Sequence, residues 1–469
     1  MEILKPLPAG CTFIVLIPTA CVPSMNRTRQ GSARPVFLHG GPESSNHSDL
    51  INIYAFWRTH LFIRPTFKYF FMKTMFKAFW LITALLSLNA CRKQKNESVP
   101  DKNKLVILSD YKGMFYGVNA MNGLGLWTYN MGDGDSYQWA SPAVTPAKTV
   151  VYNYELNKLF CFNTANGALL WSQAVGDNYY ASPLIADGLV YAAGNDKVLV
   201  LSLGDGSLVR NIAVPNGYMA HSLNFVKNRL VVGTCGGHLF GLDPVTGNEL
   251  WEYESNASCY HNNPAVANGI IYIFSSGSKL SAVNAVTGAE VWSKMVQNYV
   301  NDDAPVVYNN GILYLIGYSG NKVHAFSANN GEWQHSYTLP DDEGVWYNIA
   351  PAVANGVLFV FTDANRLVAF NTGTEEIMWQ TSYATITGRR APVETVTHNR
   401  VVSVGSVSSV VWANNMLYFV AEEQMLYAAD MNGEQVWKRP LNDYTHASPV
   451  VLTEKDKVFR PGTAGVVQP

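Results

Sequence analysis

Eight short stretches of this chain gather aromatic side chains, amides or charges, and six of the eight carry an aromatic ring. Seven of them are Tyr137-Gln138-Trp139, Asn178-Tyr179-Tyr180, Tyr218-Met219, Tyr260-His261-Asn262, Asn301-Asp302-Asp303, Trp346-Tyr347-Asn348 and Tyr444-Thr445-His446. The eighth carries Arg389, Arg390, His398 and Arg400. Rings with a polar tip, set among amides, suit a peptide segment, a loop of another protein, a glycan or another small molecule. Taken singly, each ring reads first as packing that plugs a funnel and wedges inner strands apart; taken together, the stretches read as a binding surface. Bond-making chemistry has weaker support. Asp302 and Asp303 are successive residues that a strand would point to opposite faces, which makes a poor chelating pair. His221, His238, His261 and His446 are dispersed without metal-ligand spacing. No G-x-S-x-G, H-E-x-x-H or phosphate-loop pattern occurs.

The elements that must position these stretches are written as a repeat. From residue 119 onward one phrase recurs with its Asn/Asp slot at Asn119, Asn163, Ser202, Asp243, Asn284, Ser327, Asn371 and Asp430, a period of about forty residues. Such a period means one supersecondary unit, each burying its apolar face against its neighbours. In the copy Asn263 to Trp292, Pro264-Ala265-Val266 opens a short strand and Asn268-Gly269 turns it back. Ile270 to Phe274, Leu280 to Asn284 and Glu290 to Lys294 supply three more strands, separated by glycine turns. Four short antiparallel strands per unit predict an all-β, eight-bladed β-propeller. The first copy starts at Leu105 with a second strand, and the last Ser-Pro strand, Ala447 to Leu452, has no complete blade after it. Pairing the two ends completes one blade and removes exposed edges. The expected propeller spans 105–455, with an insertion at about 388–407 and a tail at 456–469.

In such a blade the link into the first strand and the second-to-third turn share one face. The eight aromatic and charged stretches then gather around the axis as a mouth. The residues expected to bind a partner there are Trp139, Tyr179, Tyr180, Tyr218, Tyr260, His261, Asp302, Asp303, Trp346, Tyr347, Arg389, Arg390, Tyr444 and His446. Cys235 and Cys259 fall on the same face of neighbouring blades, which makes a disulfide feasible outside the cytoplasm. Cys161 lies within a third strand and reads as a buried thiol.

The repeat resembles the pyrroloquinoline-quinone-type propeller repeat, A-x-D-x-x-T-G-x-x-x-W. That resemblance implies that Trp127, Trp171, Trp251, Trp292 and Trp379 pack on the turn glycine of an adjacent blade and lock blades together. Trp333 and Trp437 sit one or two places early, and the third copy, Ser202 to Asn211, lacks the tryptophan, which implies a looser interface there. The quinone-dependent alcohol dehydrogenases of this repeat family use a vicinal cysteine pair, a Ca²⁺ site and a catalytic aspartate; no two cysteines are adjacent here. No cofactor is expected. In size and blade number the chain is similar to the BamB-like lipoproteins of outer-membrane assembly, which are noncatalytic propellers that dock through loops. The leading expectation is thus a protein-binding scaffold of the cell envelope. A quinone-dependent or sugar-active oxidoreductase, and a surface glycan-binding lipoprotein, are the alternatives.

The front of the chain reads as an export signal. Residues 72–90 carry basic Lys73 and Lys77, then an apolar run from Phe79 to Leu88 too short to span a bilayer. Leu88-Asn89-Ala90-Cys91 resembles the lipobox of bacterial lipoproteins, which implies lipidation at Cys91 and an outer-membrane location on the periplasmic or cell-surface side. Residues 91–104 form a polar tether, and contact with the membrane is expected through the lipid alone. Residues 1–71 show no repeat register and read as sequence upstream of the true start, Met72 or Met75. Charged residues are only 14%, against an average of about 25%. Net charge is −2 without a basic stripe, which leaves a nucleic-acid partner no electrostatic footprint.

Overall fold

The computed structural model describes residues 101–460, apart from 133–139, 177–180, 195, 216–219, 235–236, 256–263, 276–277, 297–304, 318–320, 341–342, 346–348, 384–407, 422–423 and 446; of residues 220–221 only the backbone is described. They form eight antiparallel sheets arranged as an eight-bladed propeller. Seven sheets have four strands in simple meander order, running from an inner strand at the axis to an outer strand at the rim. Blades 2 to 8 begin at Ala143, Leu184, Ala220, Ala265, Val307, Ala352 and Val411.

Blade 1 closes the ring. Its inner strand, Val450–Thr453, pairs with Asn103–Ser109, followed by Met114–Asn119 and Gly125–Asn130. The pairs Ile107↔Val450, Val106↔Val451 and Leu105↔Leu452 join residues more than three hundred apart in sequence. Closure by the chain ends therefore stands as expected. The sheet has an addition: a fifth strand, Val458–Phe459, pairs with the other edge of Val450–Thr453.

The second and third strands are almost continuously buried, for example Val150 to Asn153 and Leu159 to Phe162. Both faces of each blade pack on neighbours, so these strands are apolar on both sides. Outer strands alternate, as in the exposed-exposed-buried start of Leu169–Ala174. Inner hairpins turn on left-handed pairs such as Asn268-Gly269 and Asn355-Gly356, which match the right-handed twist of the strands.

Candidate functional site

The two faces of the disc are built by different chemistry. On one face lie the third-to-fourth turns. There the Asn/Asp slot works as a side-chain turn: Asp243 Oδ1 accepts the amides of Val245 and Thr246, both at 2.8 Å, and Asn284 does the same for Val286 and Thr287. Four residues after the slot, a glycine takes positive φ, +76° at Gly247 and +71° at Gly288.

A tryptophan of the preceding blade fills the space above that glycine. Trp251 donates its indole N–H to the Ala285 carbonyl at 3.2 Å, and a Cβ on Gly288 would fall 2.7 Å from its ring. Trp127, Trp171, Trp292 and Trp379 make the same bond to the carbonyls of Thr164, Leu203, Ala328 and Met431. Trp437 does likewise to Ala120, across the ring closure, although the sequence places it one position early. Its turn, Asp430 to Glu434, is one residue shorter, which restores the register. In every blade the residue at the tryptophan position is preceded by a β-bulge in the outer strand, for example at Leu250, between Glu249 and Trp251, or at Val436, between Gln435 and Trp437.

Two interfaces lack the indole. In blade 3 the slot is held by Arg210, paired with Val200, whose guanidinium donates to the Val245 carbonyl of blade 4 while Ile212 packs on Gly247. In blade 6 it is held by His335, paired with Ala325. Trp333, two positions earlier, stands 52% exposed instead. Opposite His335, the glycine position of blade 7 is Glu375, with φ +67°, and the two side chains meet at 2.8 Å. Removing the indole leaves room for a side chain where all tryptophan interfaces require glycine.

The opposite face is the mouth. As each outer strand ends, the next amide donates to the carbonyl of the second-to-third turn: Met131 to Gly113, Val175 to Asn157, Val296 to Ser278 and Leu441 to Gln424, with the same pattern in the other four blades. Each link to the next inner strand thus starts beside that turn. At its far end, serines ahead of the inner strands form a chain around the axis. Ala350 N donates to Ser409 Oγ, Ser409 N to Ser448 Oγ, Ser448 N to Ser141 Oγ and Ser141 N to Ser182 Oγ, at 2.9–3.2 Å. This girdle ties five successive blades at the mouth. Sequence reasoning missed its role, because the serines read only as strand starts.

Of the expected mouth residues, Tyr444 is described, 36% exposed. Trp139, Tyr179, Tyr180, Tyr218, Tyr260, His261, Asp302, Asp303, Trp346, Tyr347, Arg389, Arg390 and His446 lie outside the described residues, as do Cys91, Cys235 and Cys259. Cys161 is a fully buried free thiol whose pKa burial raises to about 11.

The link that carries Tyr444 is held by a buried carboxylate. Asp110 accepts from the Tyr116 hydroxyl at 2.6 Å and from the amides of Met114 and Asp443. The Tyr111 amide donates to the Tyr444 carbonyl, and Asn442 donates to Tyr116 Oη. Burial pushes the Asp110 carboxyl above the usual carboxylate range, outweighing the hydrogen bonds from Tyr116, Met114 and Asp443. A second mouth anchor pairs Glu343 with Arg366 at 2.8 Å. Among the described residues, no group of three or more His, Cys, Asp or Glu is placed to hold a metal ion. The described mouth is therefore a hydrogen-bonded frame of turns, serines and the Asp110 and Glu343 anchors.

Three overlapping segments, residues 111–259, 213–439 and 347–467, match the family model described as outer membrane protein assembly factor BamB. Among curated relatives, the chain is 21% identical over 342 residues to the outer membrane protein assembly factor BamB of Shewanella oneidensis, covering 70% of this chain and 74% of that protein. It is 24% identical over 277 residues to a tetrathionate hydrolase of Acidithiobacillus ferrooxidans, covering 55% of this chain and 52% of that enzyme. Among solved structures, BamB from Moraxella catarrhalis superposes with a TM-score of 0.52 at 15% identity, over 69% of this chain and 93% of that one.

Proposed function

The chain belongs to the BamB family of outer membrane protein assembly factors, and from that premise we propose that it is a noncatalytic scaffold of the cell envelope that docks a protein partner at the mouth of the propeller. The observation that carries this reading is the asymmetry of the two faces. The turn face repeats one structural device almost unchanged from blade to blade. The mouth links differ in sequence in every blade and are rich in aromatic and charged residues, and their described anchors are the serine girdle and Asp110. Loops on a rigid scaffold are where recognition residues gather, and aromatic anchors dominate protein interfaces.

In this reading Cys91 carries a lipid that tethers the propeller to the outer membrane through residues 91–104. Tyr444 and the arginines of the insertion, Arg389 and Arg390, join the ring of contact residues. The test is capture of partners from detergent-solubilised envelope with the chain carrying Trp139→Ala, Tyr180→Ala and Trp346→Ala together. Loss of an envelope partner with the fold intact supports the proposal, and unchanged recovery contradicts it.

A further inference from the structure

In blades 2 to 8 the inner strand pairs on one edge and turns its other edge to the central channel. Among the described residues, blade 1 alone pairs that edge, with Val458–Phe459 in the register Val451↔Phe459 and Leu452↔Val458. The added strand reaches blades on both sides of blade 1. Phe459 is 5% exposed and sets its ring edge-on against Trp412 of blade 8, with centroids 5.8 Å apart. On the other side Val458, Asp456 and Arg460 line a cavity with Val144 of blade 2 and Ile185 of blade 3. A strand that pairs with blade 1, packs on blade 8 and shares a cavity with blades 2 and 3 lies inside the channel.

The reversal that sends it there is fastened. Asp101, with its side chain 9% exposed, accepts from the Thr453 hydroxyl at 2.9 Å and from the Lys455 amide at 3.0 Å. The Glu454 amide donates to the Lys102 carbonyl, and Thr453 and Lys457 bond each other across the turn. Asp456 takes φ +61° at its tip. In the other blades the equivalent turn leads outward to a second strand. Here Asn103–Ser109 already holds that position, so the only edge left for the chain is the inner one.

We propose that Thr453–Arg460 is a channel plug, clasped by Asp101, that makes the propeller a blind cup rather than an open ring. Eight blades leave a wide axial hole, and an added strand carrying a phenylalanine closes its floor without breaking a blade interface. Anything engaging the mouth then meets a floor, and neither a cofactor nor an extended polymer can pass along the axis. The inference stands apart from the docking reading, since it concerns the channel and not the links.

The test places a reporter on the wall that the plug covers. Val144→Cys is introduced into the full chain, and its alkylation is followed peptide by peptide by mass spectrometry, so native cysteines do not interfere. Deletion of residues 457–469 and, separately, Phe459→Ala are combined with it, and Val245→Cys on the open turn face serves as reference. The expected result is slow labelling at position 144 in the parent and roughly tenfold faster labelling in both variants, as local opening requires, with position 245 unchanged. Asp101→Ala should fall between. Equal rates at position 144 in the parent and in Phe459→Ala would overturn the plug, and that variant decides the matter even where the deletion fails to fold.

Discussion

The turn face and the mouth face of this propeller are made from the same eight blades, yet they obey different rules. On the turn face, Asn or Asp, then glycine, then tryptophan recur because each is required by the next: the side chain makes the turn, the turn needs positive φ, and the indole leaves no room for a Cβ. On the mouth face what repeats is the amide that ties each outer strand to the neighbouring turn and, over five blades, the serine girdle. The side chains between those anchors are free to differ. A face whose turns repeat their side chains holds the ring together, and a face whose links vary between repeated anchors is available for recognition.

The sharpest way to break that contrast is to remove an indole. Trp251→Ala should cost about 3–5 kcal/mol, the range for emptying a packed tryptophan site, read as a fall in thermal midpoint. Gly288→Ala attacks the same contact from the other side and should not add to it fully, because the two share one interface. A cost within error of zero for Trp251→Ala would refute the lock.

Asp110→Asn comes next, at about 1–3 kcal/mol, since an amide cannot accept from all the donors that converge there. The pH dependence has a definite sign. A carboxyl whose folded pKa lies above its unfolded value contributes most below the ordinary carboxyl range, and that contribution is lost as pH rises through the folded pKa. The stability difference between parent and Asp110→Asn should therefore change as pH rises above the ordinary carboxyl range, with the parent losing ground. Thermal melts of both proteins across that range check it, and a pH-independent difference would contradict it.

Smaller still is Arg210→Ala in the interface without an indole. Its bond to the Val245 carbonyl is half-exposed, so a loss of less than about 1 kcal/mol is expected. An effect equal to that of Trp251→Ala would erase the distinction between the two kinds of interface. Least of all, Tyr444→Ala should stay within about 0.5 kcal/mol of the parent, because the link is held through its backbone and Asp110.

Much of the turn face was legible in the sequence, because each step there is a local rule acting over ten residues. Asn119, Gly123 and Trp127 can be read off by spacing alone. The misreadings arose where a rule acts between blades. Trp437 is off by one in spacing but in place in space, since a shortened turn compensates. His335 and Glu375 replace an indole and a glycine jointly, and only the structure brings residues forty apart into one contact. The plug was invisible for a different reason. The pattern Pro449-Val450-Val451-Leu452 announces an inner strand, but an inner strand has two edges, and sequence does not say which of them the following residues will take. On the mouth, residue types alone suggested recognition, and Tyr444 is the one expected contact among the described residues.

The most direct test of mouth docking is site-specific photo-crosslinking in native envelopes, with the probe at position 444 on the mouth and, separately, at position 245 on the turn face, where Val245 is 69% exposed. A discrete partner adduct from position 444 and none from 245 is the predicted result. Adducts of equal yield from both positions, or from 245 alone, would contradict the account.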